Sequence, residues 1–126
     1  MRNALFSILL IGVAPSWAAT PAELLADYTA QAGQPADAQR GQQFFQNKHG
    51  KSWSCATCHG QTPVTPGRHA NTQKTIEPLA PAAHPRRFTQ ASKVEKWFRR
   101  NCNDVLDRAC TPAEKADVLA WLITLR

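Results

Sequence analysis

Cys55-Ala56-Thr57-Cys58-His59-Gly60 is the stretch on which the fold turns. Two cysteines separated by two residues, with a histidine directly after the second, form the spacing by which a chain carries a covalently attached haem. The two intervening residues put both thiols on one helical turn, where each can add to a haem vinyl group. The adjacent histidine is thereby held beneath the iron. A redox C-x-x-C pair, or half of a zinc site, would use the same cysteines with His59 incidental. The first would want a preceding strand in a βαβ setting, and the second a further ligand pair close by; the sequence around the motif offers neither.

Export fits this chemistry. Arg2 supplies a positive start, Ala4 to Val13 is a short apolar run, and Pro15 with Ser16 and Ala18 flanking Trp17 suits a signal peptidase. Residues 1–18 therefore read as a signal peptide and residues 19–126 as one monohaem domain in the periplasm. The apolar run is about half of what a bilayer-spanning helix needs, so no stable membrane insertion is expected after cleavage. No cysteine follows the cleavage site, which argues against a lipoprotein. The four cysteines fall into two local pairs, Cys55 with Cys58 and Cys102 with Cys110, in a compartment where disulfides persist.

Removal of Arg2 takes Lys plus Arg from 15 to 14 against nine acids, so the mature chain carries +5. Two haem propionates would bring this to about +3, a basic protein suited to acidic partners. An electron-donor cytochrome with an acidic face, di-haem or membrane-bound, is the expected protein partner. Nucleic acid is not: the basic residues are scattered, no nucleic-acid motif is present, and the chain is exported.

Working outward from the motif, the text is helical on both sides with a long break between. Thr20, Pro21 and Glu23 open a helix from Pro21 to about Ala32, ended by Gly33, with Leu24, Leu25 and Tyr28 as its apolar face. A second helix is expected from Asp37 to about Lys48, presenting Gly41, Phe44 and Phe45, with Gly50 past its end. From Gly60 to Pro85 the prolines 63, 66, 78, 81 and 85 break any periodicity, leaving a long loop of the kind that encloses a prosthetic group. Helical text resumes with a capping box of Ser92 and Glu95, and Val94, Trp97 and Phe98 share one face. A last helix opens at Thr111, Pro112 and Glu114 and buries Val118, Trp121, Leu122 and Leu125. No strand is expected. The fold class is all-α, with helices wrapped around one covalently bound haem and a long Pro-rich loop.

The helices flanking the motif resemble those of class I cytochromes c. In that family a glycine, and an aromatic four residues later on the first core helix, pack against an aromatic on the last; Gly41, Phe45 and Trp121 match those positions. Ordinary members place a methionine sulfur on the other side of the iron. Here the only methionine is Met1, which leaves with the signal peptide. The distal position falls to histidine, another polar group, water or nothing.

His49, His69 and His84 are candidates, although histidines in polar loop text are ordinarily solvated. Asn101 is the stronger one. It lies seven residues after Val94, four after Trp97 and three after Phe98, so it projects from the same apolar face. A desolvated amide there needs a partner, which the iron, a helix C-cap or a backbone bond would each supply.

Several further stretches resemble the sphaeroides haem protein family of c-type cytochromes. They are Pro35-Ala36-Asp37-Ala38 with Arg40-Gly41, the haem motif through Gly60, Pro78-Leu79-Ala80-Pro81, Val94-Glu95-Lys96-Trp97 and Arg100-Asn101-Cys102-Asn103. Thr111-Pro112 and Glu114-Lys115-Ala116-Asp117 extend the likeness to the last helix; loop text around His49 to Trp53 and Pro66 to Thr72 departs from it. The resemblance implies a class I cytochrome c fold, one haem c on Cys55 and Cys58, and axial ligands matching His59 and Asn101. It also implies a disulfide matching Cys102 and Cys110. In that family the amide leaves the iron on reduction and the open ferrous site binds diatomic gases such as oxygen or nitric oxide. A neutral amide oxygen is a hard, weak ligand that suits ferric better than ferrous iron, so this redox linkage has a physical basis. The expected function is redox-linked gas binding with electron transfer from a partner cytochrome, which leaves room for an oxidase-like or nitric-oxide-handling turnover. The competing reading is a plain six-coordinate electron carrier with a distal histidine.

Overall fold

The computed structural model describes residues 18–126, so the expected signal segment lies outside the described residues but for Ala18. Five helices follow one another: α1 (Pro21–Ala32), α2 (Ala38–Gln46), α3 (Cys55–His59), α4 (Ala91–Leu106) and α5 (Pro112–Thr124). Among the described residues none is long and apolar enough to cross a membrane.

Helix α1 begins as its residues dictate. Thr20 and Glu23 exchange backbone-to-side-chain bonds of 2.7 and 3.1 Å, and Gly33 closes the helix in the left-handed region at φ 66°. Helix α2 starts from an Asp37 cap but stops at Gln46, two residues before the expected end. Asn47 turns extended, and His49 folds back so that its Nε2 lies 2.8 Å from the Phe44 carbonyl. The histidine satisfies one of the carbonyls that a helix end leaves open, and the helix has no need to continue.

The core is the crossing of α2 with α5, flanked by α1. Gly41 lies against the backbone of Asp117 and Val118, closer than any residue with a Cβ could come. One turn on, Phe45 meets Trp121 with ring centroids 5.1 Å apart. Phe45, Leu119 and Leu122 are fully buried, and Leu24 and Tyr28 of α1 close the cluster. Asp117 fastens the same crossing by polar means. Its buried carboxylate accepts from Arg40 Nε and Nη2 at 2.8 and 2.9 Å, and from the Asp37 backbone N–H at 2.6 Å.

Helix α4 departs from expectation at its start. Its N-cap is Gln90, which makes no side-chain cap bond, so the Ser92 and Glu95 capping box is not formed. Glu95 is engaged elsewhere: it accepts from the Tyr28 hydroxyl at 2.6 Å and from Lys115 Nζ at 2.8 Å. Two charge-assisted or buried tertiary bonds outweigh one local cap. Trp97 also departs, for it is 43% exposed while Val94 is buried and Phe98 is half-buried. Arg100 lies over its ring, 5.1 Å from the centroid.

The Pro-rich segment is a loop with one exception. Gly67–Arg68 (β1) and Thr75–Ile76 (β2) pair antiparallel, Gly67 opposite Ile76 and Arg68 opposite Thr75. Two residues per strand are too few for a readable alternation, and the hairpin is set instead by its tip, where Gln73 adopts φ 57°.

Candidate functional site

The attachment motif forms α3, and the residue before it explains why so short a helix holds. Buried Ser54 accepts the Thr57 N–H at 3.2 Å, while Thr57 Oγ1 accepts the Ser54 N–H at 2.9 Å. This reciprocal cap was open to a sequence reading, since serine three residues before threonine is the signal, and it went unread. At the other end Gly60, at φ 83°, donates to the Ala56 carbonyl at 2.8 Å.

The loop then presses onto this turn. Gly67 lies against the Cys58 carbonyl, and a Cβ there would stand 2.9 Å from the His59 Cα. The Ala70 N–H points at the Cys58 sulfur at 3.4 Å. Pro63, itself fully buried, takes both the Leu79 and the Ala80 N–H on its carbonyl at 3.0 Å. From the core side Phe45 places its ring 6.0 Å from that of His59.

Burial sets the chemistry of these groups. It pushes the Cys55 thiol up to about 11, with the neighbouring Cys58 acting the same way, although the Cys55 backbone N–H works against the shift. A C-x-x-C pair built for thiol–disulfide exchange wants a depressed thiol instead. Cys102 and Cys110 are bonded to each other and so do not serve as a second zinc pair. Burial, and secondarily the charge of Arg87, hold His59 down at about 4, so the imidazole is neutral at pH 7 with a lone pair to offer a metal.

The residues weighed for the distal position fall into different surroundings. His49 is spent on the end of α2. His69 Nδ1 accepts the Asn71 and Thr72 N–H groups at 3.3 and 3.2 Å, and its ring meets the edge of Trp53. It belongs to the loop that grips α3. His84 Nδ1 is, among the described residues, the one buried side-chain polar atom without a partner. Asn101 sits half-buried within α4, and the helix runs on to an Asp107 cap at φ 63°, so Asn101 is not the C-cap that its spacing also allowed.

Helix α4 is fastened along one row. Glu95 reaches Tyr28 and Lys115, Phe98 meets Tyr28 edge-on at 5.9 Å, and Cys102 carries the disulfide to Cys110. At 3.6 residues per turn, Asn101 lies about 120° round the helix from Glu95, one turn along from Trp97. Asn101 thus stands at the edge of the buried face, about 20° round from buried Val94 and about 40° round from exposed Trp97.

Residues 31–122 match a family described as a domain of unknown function, DUF1924. Cytochrome c-type protein SHP of Cereibacter sphaeroides is 50% identical over 125 residues, 96% of this chain and 96% of that protein. The chain belongs to the sphaeroides haem protein family. The oxidised structure of SHP, described as an oxygen-binding cytochrome c, superposes with a TM-score of 0.77 at 51% identity, covering 82% of this chain and 95% of that one. The oxidised crystal structure of cytochrome c'' from Methylophilus methylotrophus follows at 0.76 and 36% identity, over 84% and 94%. In sequence that cytochrome is 44% identical over 80 residues, 64% of this chain and 56% of its own length.

The fold is therefore that of a class I-like cytochrome, and the protein is a monohaem cytochrome c with haem c as its cofactor. The residues present fit that group. Two thiols on one capped turn, a neutral buried imidazole beside them, a glycine that lets the loop close on that turn, and an unpartnered buried nitrogen at His84 are the features such a cofactor asks for. Arg87 was missed. It is half-buried, its Nε and Nη2 donate to the carbonyls of Pro78 and Glu77 at 2.9 and 2.7 Å, and its charge is felt at His59. Nothing in the spacing of Pro85-Arg86-Arg87 separates it from its exposed neighbour Arg86.

Proposed function

We propose that this protein is an exported, redox-linked gas-binding cytochrome. Cys55 and Cys58 hold the haem by thioether bonds, each S–H adding across a vinyl group so that sulfur and hydrogen both end on carbon. His59 would hold the iron permanently and Asn101 releasably. When bound, haem would supply a one-electron iron couple and a site for a small diatomic ligand such as oxygen or nitric oxide. Residues 1–18 act as the signal peptide, the mature domain works in the periplasm, and electrons arrive from an acidic-faced partner cytochrome.

The observation that carries this reading is the position of Asn101. In a chain without methionine beyond Met1, a half-buried amide stands mid-helix at the edge of the buried face of α4, between buried Val94 and exposed Trp97. It is not used as a cap. An amide oxygen binds ferric iron better than the softer ferrous iron, so reduction favours its departure. SHP, half identical over nearly its whole length, is described as oxygen-binding.

The alternative of a closed six-coordinate electron carrier draws on one observation, the unpartnered His84 nitrogen. Optical spectra with and without carbon monoxide separate the two. Asn101→Ala should retain covalent haem and change the ferric spectrum, while ferrous carbon monoxide binding persists because the amide has already left in that state. An unchanged ferric spectrum in Asn101→Ala, with a low-spin signal lost in His84→Ala, would replace this reading by the bis-histidine one.

A further inference from the structure

We infer that the exposed strip of Lys93, Lys96, Trp97 and Arg100 on α4 is the docking face for the acidic surface of an electron-donating protein. This deepens the function proposed above and rests on the part of it that brings electrons from an acidic-faced partner.

Among the described residues Trp97 is the one exposed large hydrophobic side chain. A single apolar residue at a surface needs no explanation by itself. Its setting is what marks this one. Successive helical residues turn by about 100°, so Lys93, Lys96, Trp97 and Arg100 fall within an arc of about 100° on α4. All four are exposed. The Arg100 guanidinium lies over the indole, 5.1 Å from its centroid, so apolar area and charge are held together in one plate. Among the described residues none of the three cations is ion-paired, whereas Arg40, Lys51, Arg108 and Lys115 each meet a carboxylate. Arg99 is on the other side of the helix, where its charge is felt at Glu95. Exposed Asp104, one turn beyond Arg100, bounds the strip at its C-terminal end.

Three uncompensated cations around one indole complement an acidic surface with an apolar spot at its centre. Tryptophan and arginine are the side chains that anchor protein interfaces, and a surrounding ring of charge steers the partner in. Other occupants fit less well. A second copy presents the same basic face and is repelled by it. A lipid surface asks for a broad apolar face beside the basic one. Here Val94, Cys102 and Val105 are buried in the fold, and Trp97 alone of the large apolar side chains on α4 is left exposed. Trp97 precedes Asn101 by one turn, so a partner seated on the strip rests on the helix that carries the proposed releasable ligand.

The probe is reduced flavodoxin, an acidic protein whose flavin hydroquinone gives up one electron and becomes the semiquinone as ferric iron becomes ferrous. Stopped-flow reduction of the ferric holoprotein is followed at about 10 mM and about 1 M ionic strength, where the Debye length is about 30 and about 3 Å. The parent's second-order rate constant should fall at least about tenfold between the two. Lys93→Gln, Lys96→Gln and Arg100→Gln should each lower the low-salt constant about threefold and leave the high-salt constant alone. Trp97→Ala should lower both about fivefold, because salt does not screen an apolar contact. Lys48→Gln and Lys74→Gln, exposed cations outside α4, should behave as the parent. Reduction potentials are measured alongside, and rates are compared at equal driving force. Equal slowing in Lys48→Gln or Lys74→Gln, or parent-like rates in all four α4 variants, overturns the docking face. Parent-like rates together with Trp97-dependent binding to phosphatidylglycerol vesicles would assign the strip to a membrane surface instead. Ferrous protein that is reduced through this face yet takes up no carbon monoxide would sink the gas-binding reading and leave the docking face standing.

Discussion

Gly41→Ala tests the crossing on which the site is built. A Cβ at this position would overlap the carbonyl group of Asp117 and stand 2.8 Å from the Val118 nitrogen. Ordinary heavy-atom contacts begin near ~3.5 Å, so α5 must withdraw by at least about 0.7 Å on the Val118 side alone. No flexible side chain is there to yield; the obstacles are all backbone. Overpacking of this kind costs about 1 to 3 kcal/mol, and alanine regains about 1 kcal/mol of helix propensity over glycine. Because two consecutive backbone units are struck, the upper end of the range applies, and a net loss of about 2 kcal/mol should lower Tm by about 8 to 16 °C in a domain of this size. The displacement is also carried one turn on, where Phe45 bridges Trp121 and His59, so the haem absorption bands should broaden. Thermal melts by circular dichroism measure the loss. Exposed Gln43 lies on the same helix, and Gln43→Ala should change stability by no more than about 0.5 kcal/mol. A Gly41→Ala protein melting within two or three degrees of the parent would refute the close-crossing argument, as would an equal fall in Gln43→Ala.

Opening the Cys102–Cys110 bridge, which spans a sequence separation of 8, should cost about 2.5 kcal/mol by loop entropy. In Cys102→Ser with Cys110→Ser, denaturant titration should show that loss, and ferrous carbon monoxide kinetics should change, because Cys102 adjoins Asn101. Asp117→Ala should lower Tm more than Arg40→Ala, since the carboxylate serves the Asp37 N–H as well as the guanidinium; equal losses would mean the backbone bond contributes nothing. Glu95 has its carboxyl held below the ordinary 4.5: burial opposes ionisation, and the bonds from Lys115 and Tyr28 overcome it. A depressed folded value gives stability that is fully present above the unfolded 4.5 and is lost as pH falls through the folded value. Urea midpoints taken from neutral pH down to about pH 3 should fall less steeply in Glu95→Gln than in the parent, and parallel curves would remove the carboxylate from the account.

What the sequence made legible was whatever is set by neighbours in the chain. Thr20 with Glu23 and Thr111 with Glu114 are boxes three residues long, and both helices begin where those boxes put them. The attachment turn and the Gly41, Phe45 and Trp121 triangle were equally readable. The misreadings share a cause. Ser92 and Glu95 have the letters of a cap, but Glu95 has partners 67 residues before and 20 residues after it, and these tertiary bonds win. Lys48 looked helical because nothing local announced that His49 would turn back on Phe44. Trp97 was assigned to an apolar face by periodicity, which says which side of a helix a residue occupies and not what lies opposite. His84 was illegible for the same reason: its significance lies in the partner its buried nitrogen lacks.

The two elements that carry His59 and Asn101 are held with different stiffness, and this bears on which of the two proposed ligands moves. His59 rides on a turn capped at both ends, with Gly67 against its backbone, Ala70 on the neighbouring sulfur and the loop hung from buried Pro63. Moving it means breaking several buried backbone contacts together. Asn101 rides on a helix whose first turn lacks a side-chain cap and whose fastenings are side-chain contacts, Tyr28 and Lys115 on Glu95, the Phe98 ring on Tyr28 and buried Val94, plus one disulfide close behind Asn101. Long side chains can follow a shifting helix without losing their bonds, whereas backbone in van der Waals contact cannot. Segments with few close backbone contacts are the ones that open at low free-energy cost. The disulfide anchors the C-terminal half of α4 directly behind Asn101, which on the reading proposed above is the place to which the amide returns. On the reading proposed above, a weak oxygen ligand on the more compliant element and a nitrogen ligand on the rigid one suit a reversible redox-linked release.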